Sequence, residues 1–395
     1  MKKCIWIVWV CLLGMVSFSG DVQADPPYGF TLVDIKFNHN TSSNSTDRVT
    51  IQKNESDITA PEWITSSQTN DPIAYIKGSN KTILASFTCT SDTVTSAKIF
   101  ATKTAGDILT HIGEETITFS NGWSSPLYQQ FTVTDVPTWV KKGTVTWQWK
   151  FKVGLYSEQP ITSTGPHTIY VLVASPQAPM SKPWTEVLDY SCVWAAWQPG
   201  AVGAATKIVQ KIYSDIGLSY DTENGAPVYT GWGNTDFNLN LFLSRIPNVG
   251  KFNCYDSGKA VKIFGNAVGS GSSYKFSSPF GYLNCIKPAG KGWANNPFYD
   301  GGPPISSDPI VGEDDDWNDG RSKFGNHAFG ALNSNIYDAS LRVDTDPNPD
   351  APPHSPSDGS WATGWSWSIY KAKVVDDNPS TSTGDPSGYN NWGVY

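Results

Sequence analysis

The stretch "FNCYDSGKAVKIFGNAVG", residues 252–269, predicts an amphipathic helix with a cysteine at its start. Its apolar residues recur at spacings of three and four, which places them on one helical face, and Gly269 provides a stop. Asn253 is a favourable N-cap residue, so Cys254 falls in the first turn. The apolar positions are Ala260, Ile263, Phe264, Ala267 and Val268. The sequence therefore predicts a helix that carries a thiol at its N-terminus.

The position of Cys254 gives its thiol a physical reason to be reactive. Backbone N–H groups in the first helical turn lack an intrahelical partner, and with the helix dipole they favour a thiolate over a thiol. The same groups can receive the oxyanion of a tetrahedral intermediate. Position alone leaves a structural cysteine open as the alternative, and that alternative requires a disulfide partner or further metal ligands.

The other cysteines limit these alternatives. Beyond the first 24 residues the chain has Cys89, Cys192, Cys254 and Cys285, and no CxxC or CxxxC pair that would indicate a zinc ribbon. The HExxH, GxSxG and P-loop motifs are also absent. If Cys254 is reactive, at most one internal disulfide can form. Cys192 with Cys285 is the favoured pair because both lie in the second half, although sequence does not fix connectivity.

A nucleophilic cysteine needs a base, and the second half offers two histidines. His354 stands in the proline-rich "DAPPHSPSDG", which is typical of an exposed loop. His327 stands in "GNHAFGAL", the predicted start of a strand. His327 is therefore the candidate base, with an ordinary strand-end histidine as the alternative.

A carboxylate is predicted beside His327. If Asn333 and Ser334 form a two-residue hairpin turn, counting outward places His327 opposite Ser340. Asp338 then lies diagonally beside His327 on the same face, where it can fix the tautomer and stabilise the imidazolium. Asp338 is therefore the candidate orienting carboxylate.

The assignment of Asp338 depends on the register of this hairpin. The register pairs Leu332 with Asn335, and a shift by one residue would move Asp338 to the other face. Asp344 shares the face with His327, but it lies roughly 13 Å along the strand from Ser340 at about 3.4 Å per residue. Asp338 is thus the better third member of the site.

The first half of the chain has the residue pattern of a β protein. In "TVTWQWKFKV", residues 144–153, aromatic and aliphatic residues alternate with polar ones, as expected for a strand with one buried face. Eight or nine such runs separated by turn residues predict an immunoglobulin-like sandwich over residues 25–175. This half shows no catalytic constellation.

The second half is predicted to be an α+β domain over residues 184–395. A proline-rich segment, residues 176–183, precedes it and is typical of a stiff linker. The run "AVGAATKIVQKIYSDIG", residues 201–217, then has apolar spacings of three and four that predict a helix ending at Gly217. Antiparallel strand patterns follow the two helices, which is the order of an α+β unit.

The N-terminus has the features of a secretory signal. Lys2 and Lys3 precede an apolar run from Ile5 to Phe18, and cleavage is predicted after Ala24. The run has about 14 residues, shorter than the roughly 20 that span a membrane. We therefore expect a secreted or periplasmic protein without a membrane anchor.

Composition bears on the partners of the protein. The net charge of −8 argues against a nucleic-acid surface. Aromatic residues make up 13% of the chain, which suits either a β-rich core or stacking on sugars. The oligomeric state cannot be inferred from composition.

Three blocks in the second half resemble the transglutaminase-like, papain-like cysteine superfamily. They are "NCYDSGKA" from residue 253, "NHAFG" from residue 326 and "IYDAS" from residue 336. They correspond to a cysteine at a helix start, a histidine that opens a strand and an aspartate on the next strand. The resemblance covers about residues 184–343. It implies Cys254 as nucleophile, His327 as general acid and base, and Asp338 as orienting carboxylate.

The chain also departs from this pattern. Phe329 stands where the family often has tryptophan, and Trp232 is the candidate for the aromatic that assists the oxyanion in animal members. The acidic run "VGEDDDWNDG", residues 311–320, raises the possibility of calcium. It lacks EF-hand spacing, since Asp319 stands where a glycine is needed and no glutamate follows at the end of the loop. A solvated loop is the simpler interpretation.

The resemblance implies an enzyme that acts on amide or peptide bonds of a protein or peptide substrate through a thioester, without a cofactor. Water would make it a hydrolase, and an amine acceptor would make it an acyltransferase. The alternative is a catalytically silent fold that serves as a surface binding or adhesion module, with carbohydrate as the candidate ligand. A carbohydrate hydrolase is a third reading, but no pair of acidic residues can be identified for it.

Overall fold

The computed structural model describes residues 28–37, 49–222, 224–231, 233–284, 286–291, 324–343, 359–376, 382–388 and 392–395. Strands dominate it, and within the described residues helices occur only after residue 184. Among the helices that the structure describes, none has the length and apolar character needed to span a membrane.

The N-terminal half is β-rich, as predicted. Its strands are β1 (Phe30–Phe37), β2 (Gln52–Lys53), β3 (Ser56–Asp57), β4 (Trp63–Ile64), β5 (Thr69–Asn70), β6 (Ile73–Ile76), β7 (Lys81–Cys89), β8 (Ser96–Gly106), β9 (His111–Ser120), β10 (Trp123–Val133), β11 (Lys141–Lys152) and β12 (Gln159–Leu172). Ten of them form one hydrogen-bonded sheet in the order β5-β4-β1-β7-β10-β9-β8-β11-β12-β6. The sheet curls so that β1 also contacts β12.

The alternation in β11 places its large side chains inside the curled sheet. Trp147 and Trp149 are fully buried, and the intervening lysines and glutamine lie nearer to solvent. Their indole N–H groups are satisfied, because Trp147 donates to the Leu109 carbonyl at 3.1 Å and Trp149 donates to the Thr164 hydroxyl at 3.2 Å. Burial with a satisfied polar edge accounts for these two tryptophans without a binding role.

The C-terminal half contains all five described helices. They are α1 (Thr185–Trp194), α2 (Ala201–Asp215), α3 (Leu239–Arg245), α4 (Cys254–Ala267) and α5 (Trp367–Val374). The strands are β13 (Leu218–Tyr220), β14 (Gly250–Phe252), β15 (Ser273–Ser277), β16 (Tyr282–Leu283), β17 (Ile286–Pro288), β18 (His327–Leu332), β19 (Asn335–Val343), β20 (Ser360–Trp365), β21 (Val375–Asp376) and β22 (Ser387–Gly388). A six-stranded sheet has the order β17-β19-β18-β15-β22, with β20 also paired to β19.

Helix α4 lies at the centre of this half. It packs on β18 and β19 on one side and on α1 and α2 on the other. Every residue of α4 except Tyr255 is buried, so the helix is enclosed on all sides although its sequence is amphipathic. The polar face predicted from the sequence is covered by neighbouring segments, and Lys259, which is fully buried, donates to the Asn234 carbonyl at 3.1 Å.

The two halves share a hydrophobic core. One cluster of buried residues includes Tyr170 and Leu172 of β12 together with Leu188 of α1 and Phe264 of α4. The Tyr170 hydroxyl donates to the Asp189 carboxylate of α1 at 2.5 Å. Apolar contact therefore continues from the curled sheet into the helices.

The proline-rich segment of residues 176–183 is packed, whereas its composition predicted a spacer. Asn266 at the end of α4 donates its side-chain N–H to the Ala178 carbonyl at 2.7 Å. The backbone carbonyl of Asn266 accepts from the Gln177 N–H at 3.1 Å. Met180 is 1% exposed. Hydrogen bonds and burial therefore hold this segment against α4.

Candidate active site

The start of α4 is fixed by a reciprocal cap. The Asn253 side chain accepts from the N–H groups of Tyr255 and Asp256 at 3.0 and 3.2 Å, and the Asp256 carboxylate accepts from the Asn253 N–H at 3.4 Å. Both halves of a capping box are thus present. Cys254 is the first helical residue, as predicted, and only 5% of its surface is exposed.

Asp256 also anchors the loop that precedes α3. Its fully buried carboxylate accepts from the N–H groups of Val228 at 2.8 Å, Tyr229 at 3.1 Å and Thr230 at 2.7 Å. Burial raises the pKa of Asp256, and the hydrogen bonds from Val228 and Thr230 oppose that rise. Sequence analysis missed this role, although a carboxylate three residues after an asparagine cap was a usable signal.

Close contact between α4 and the β18–β19 hairpin brings the cysteine toward the histidine. A Cβ atom at Gly258 would lie 3.1 Å from the Phe329 backbone nitrogen, and one at Gly330 would lie 2.4 Å from the Val261 side chain. A side chain at position 330 would therefore force the two elements apart, and one at position 258 would be tightly crowded. One helical turn after Cys254, the Ser257 hydroxyl hydrogen-bonds to the Ser340 hydroxyl at 2.6 Å.

The hairpin itself has the predicted register. Leu332 pairs with Asn335, and both turn residues have positive φ, 50° at Asn333 and 65° at Ser334, as a type I′ turn requires. This register brings His327 to Asp338, with 2.8 Å between the His327 Nε2 and the Asp338 Oδ2. Both side chains are buried.

His327 is held as an imidazolium by its neighbours. Burial alone would lower its pKa, but the charge and hydrogen bond of Asp338, with a smaller contribution from the Cys254 thiol, raise the pKa of His327 to about 10. Nε2 is committed to Asp338, and no hydrogen bond of good geometry reaches Nδ1 from any described residue. Nδ1 is therefore the ring nitrogen available to hydrogen-bond with the Cys254 thiol. Hydrogen bonds between catalytic groups are often long before a substrate binds.

Asp338 is itself oriented by two further donors. Its Oδ1 accepts from the Ser340 N–H at 2.7 Å, and its Oδ2 accepts from the Tyr370 hydroxyl at 2.6 Å. Tyr370 lies in α5 and is fully buried, and burial with the Asp338 charge raises its pKa well above the usual value. No sequence signal pointed to Tyr370, because it lies beyond the blocks that carry the resemblance and reaches the site only through the fold.

Tyr220 is a second residue that sequence analysis missed. Burial raises its pKa well above the usual value, followed by the charge and the hydrogen-bonding thiol of Cys254, and the backbone N–H of Cys254 donates to its hydroxyl. Tyr220 also lines, with His327, a small pocket of about 10 Å³ whose other walls are mainly apolar. Tyr220 thus lies near Cys254 at one end of the site, and Tyr370 lies beside Asp338 at the other.

The structure does not place the remaining sequence candidates. Trp232, Cys285 and the acidic run of residues 311–320 lie outside the described residues, as do His354 and Asp344. No group of three or more His, Cys, Asp or Glu side chains that could hold a metal ion occurs in the part of the chain that the structure describes.

The expected disulfide between Cys192 and Cys285 is not formed, since Cys192 carries a free thiol. Cys192 is fully buried in the cluster that includes α1, α2 and α4. Leu283 and Ile286, which flank Cys285, belong to a different cluster around α5. No local sequence pattern indicates that Cys192 and the residues flanking Cys285 pack in separate cores.

Neither protein-family models nor the sequences of curated proteins match this chain.

Proposed function

We propose that this protein is an exported cysteine enzyme that forms a thioester between Cys254 and the acyl group of an amide or peptide substrate. In this proposal an immunoglobulin-like sandwich, residues 25–175, precedes a transglutaminase-like α+β domain, residues 184–395. One observation carries it: a cysteine at a capped helix start lies beside a buried histidine whose other ring nitrogen is bonded to a buried carboxylate. This arrangement has the parts of an activated nucleophile, a base and an orienting group.

The chemistry follows from these positions. The Cys254 thiolate adds to the substrate carbonyl carbon, and the C=O π electrons move onto oxygen to form a tetrahedral oxyanion. The His327 imidazolium then gives its Nδ1 proton to the amide nitrogen, the C–N bond breaks, and an amine and a thioester result. Neutral His327 next takes a proton from the acceptor as that acceptor attacks the thioester. Collapse of the second intermediate breaks the C–S bond and restores the thiolate.

The acceptor decides between hydrolysis and transfer. Water yields an acid, and an amine yields a new amide, with the same roles for Cys254 and His327 in both cases. Incubation of a glutamine-containing protein with a labelled primary amine separates the outcomes. Incorporation identifies a transferase, and release of ammonia or peptide cleavage without incorporation identifies a hydrolase.

Selective alkylation of Cys254 tests the proposal. Cys89 and Cys254 are 6% and 5% exposed, so exposure does not favour either one. We expect iodoacetamide at pH 5.5 to modify Cys254 at least about tenfold faster than Cys89, because a thiolate beside an imidazolium reacts and a neutral thiol does not. Peptide mass spectrometry measures both rates in one sample.

Two variants complete this test. His327→Ala is expected to remove the preference for Cys254, whereas His111→Ala, at an exposed histidine of β9, should preserve it. Equal labelling of Cys89 and Cys254 in the wild-type protein would disprove the enzyme proposal.

A binding module is the second candidate function, and one observation favours it. Trp197 is 65% exposed and packs against Trp139, with 5.4 Å between ring centroids. An exposed, supported indole face is suited to stacking on a sugar ring. Under this alternative, Trp197→Ala abolishes retention on a glycan array, and Cys254 shows no preferential alkylation.

A further inference from the structure

Tyr370 donates to the same carboxylate oxygen as the candidate base. Its hydroxyl lies 2.6 Å from the Asp338 Oδ2, and the His327 Nε2 lies 2.8 Å from that same atom. The other oxygen, Oδ1, accepts from the Ser340 N–H at 2.7 Å. Tyr370, Asp338 and His327 are all buried. Two hydrogen bonds therefore compete for the electron density of one buried oxygen.

The position of Tyr370 is set by α5 and by ring packing. The Ser366 side chain caps α5 by accepting from the Ile369 N–H at 3.4 Å, and the Ser366 carbonyl accepts from the Tyr370 N–H at 2.9 Å. The Tyr370 ring packs against Phe329 at 5.4 Å and against Trp367 at 5.9 Å between centroids. These contacts involve the backbone and the ring, so they remain when the hydroxyl alone is removed.

The surroundings of His327 are otherwise mainly apolar. Its ring packs against Phe280 at 4.9 Å and against Phe329 at 5.9 Å between centroids. The titratable groups that face it among the described residues come from four elements, and they are Asp338 of β19, Cys254 of α4, Tyr220 of β13 and, through Asp338, Tyr370 of α5. In this setting Asp338 is the main support of the imidazolium charge.

A strong hold on the proton is a disadvantage for a group that must give the proton away. Asp338 opposes the effect of burial and raises the pKa of His327 to about 10. A proton donor works best when its pKa lies near the operating pH. In the proposed reaction His327 gives its Nδ1 proton to the leaving amine. A contact that weakens the support from Asp338 therefore assists this step.

We propose that Tyr370 is a positioning residue that loosens the hold of Asp338 on the His327 imidazolium and thereby assists proton transfer to the leaving amine. Before the transfer, the hydroxyl withdraws electron density from Oδ2 and weakens its bond to His327. The proton moves from Nδ1 to the amide nitrogen as the C–N bond breaks, and Tyr370 keeps its own proton. This role rests on the proposed cysteine chemistry.

The hydrogen bond from Tyr370 favours the state after the transfer. Neutral His327 no longer compensates the buried carboxylate charge of Asp338, so the carboxylate binds its remaining charge-stabilising donors more strongly. A hydrogen bond to a charged group stabilises the state in which that charge is least compensated. Burial, followed by the Asp338 charge, raises the pKa of Tyr370 well above its usual value, which keeps the hydroxyl protonated as a donor.

Tyr370→Phe tests the effect on His327, since it removes the hydroxyl and keeps the ring contacts with Phe329 and Trp367. We expect the His327 midpoint in an imidazole NMR titration to rise by roughly one unit, because the carboxylate loses one hydrogen bond. At pH 7 the resonance of the His327 Nε2 proton should move to lower field, because Tyr370 no longer competes for Oδ2. This second measurement needs no alkaline titration.

A matched pair of acyl donors tests the effect on the reaction. The leaving group of p-nitroacetanilide needs a proton, whereas that of p-nitrophenyl acetate does not. We expect release of p-nitroaniline by Tyr370→Phe to slow by up to about tenfold, while the p-nitrophenol burst stays within about twofold of the wild type. The control is Tyr213→Phe, whose lost hydroxyl donates to the Lys287 carbonyl at 3.0 Å, and all of its values should match the wild type.

The other outcomes separate this inference from the proposed function. An unchanged or lower His327 midpoint, or an Nε2 proton that stays in place, overturns the role of Tyr370, because a residue that only fills the core produces that result. Equal losses with both acyl donors overturn it as well. A wild-type protein that the anilide does not acylate overturns the proposed action on amides, whereas a raised midpoint in Tyr370→Phe still establishes the competition for Oδ2.

Discussion

Asp338 is the residue on which the polar network of the site converges. Its carboxylate accepts from His327, Ser340 and Tyr370, and it is completely buried. A buried charge without such partners would be strongly destabilising. The His327 and Asp338 pairing was predictable because a hairpin turn fixes register over a few residues, whereas the Tyr370 contact depends on α5, which no local rule brings to β19.

The charge of His327 should depend on Asp338. With its folded pKa at about 10 and its ordinary value at 6.5, the pair contributes stability that is fully present below pH 6.5 and is lost as the pH rises through about 10. Asp338→Asn removes the stabilising charge, so we expect the His327 midpoint to fall by roughly one to three units. Imidazole NMR titration measures this midpoint, and urea unfolding at pH 7 and 10.5 measures the loss of stability.

His167 provides an internal contrast in the same NMR spectra. It is buried within the curled sheet, where its Nδ1–H donates to the Asn70 side-chain oxygen at 2.9 Å, and burial lowers its pKa to about 3. It should not titrate between pH 5 and 11. A wild-type His327 midpoint near 6.5 would contradict the electrostatic account of the site.

Helix α4 shows how an element can be predicted while its environment is not. Its start at Cys254 and its end before Gly269 follow from an asparagine cap, an apolar period and a glycine stop. Its complete burial does not follow from these signals. The loop held by Asp256 and the segment at residues 176–183 cover the polar face, and both contacts are long-range.

Removing the cap should affect both stability and reactivity. Asn253→Ala leaves the Tyr255 and Asp256 N–H groups without their acceptor, so we expect a loss of about 1 to 2 kcal/mol in unfolding free energy. Because the cap also sets the position of Cys254, its iodoacetamide labelling at pH 5.5 should slow. Chemical denaturation and peptide mass spectrometry measure the two effects.

Asn238→Ala is the matched control for this cap. Asn238 accepts from the Leu241 N–H at 2.9 Å as the N-cap of α3, which carries none of the site residues. Asn238→Ala should lower the unfolding free energy by a comparable amount without slowing the labelling of Cys254. If both variants slow labelling equally, the α4 cap has no specific role in presenting the thiol.

At the scale of the whole molecule, the sheet half and the helical half share one apolar cluster. Leu172 ends β12 and faces this cluster, while the curled sheet keeps a separate core around Trp147 and Trp149. A substitution that removes the packing of Leu172 should therefore also destabilise the half that holds Cys254. The packed segment at residues 176–183 strengthens this link.

A pair of leucine substitutions tests the coupling. Leu172→Ala, at a fully buried residue, should reduce the unfolding free energy by about 2 to 5 kcal/mol and lower the temperature at which pulse alkylation shows Cys254 losing its native reactivity. Leu155→Ala, at a residue 92% exposed, should change stability by less than about 0.5 kcal/mol. If Leu172→Ala unfolds the sheet while Cys254 keeps its native labelling profile, the two halves are independent.

The sequence by itself determined the features that depend on short chain distances. These are the alternation of β11, the capped helix at Cys254, and the hairpin that joins His327 to Asp338, because periodicity, capping and turn geometry act over a few residues. Only the tertiary structure decided that Tyr220 pairs with Phe252 near Cys254, that Tyr370 donates to Asp338 and that Cys192 remains a free thiol. Tyr220 and Tyr370 lie 34 and 32 residues along the chain from Cys254 and Asp338, and the core around Cys192 is separate from the one that contains Leu283 and Ile286. These placements are set by how strands and helices pack, which no local pattern encodes.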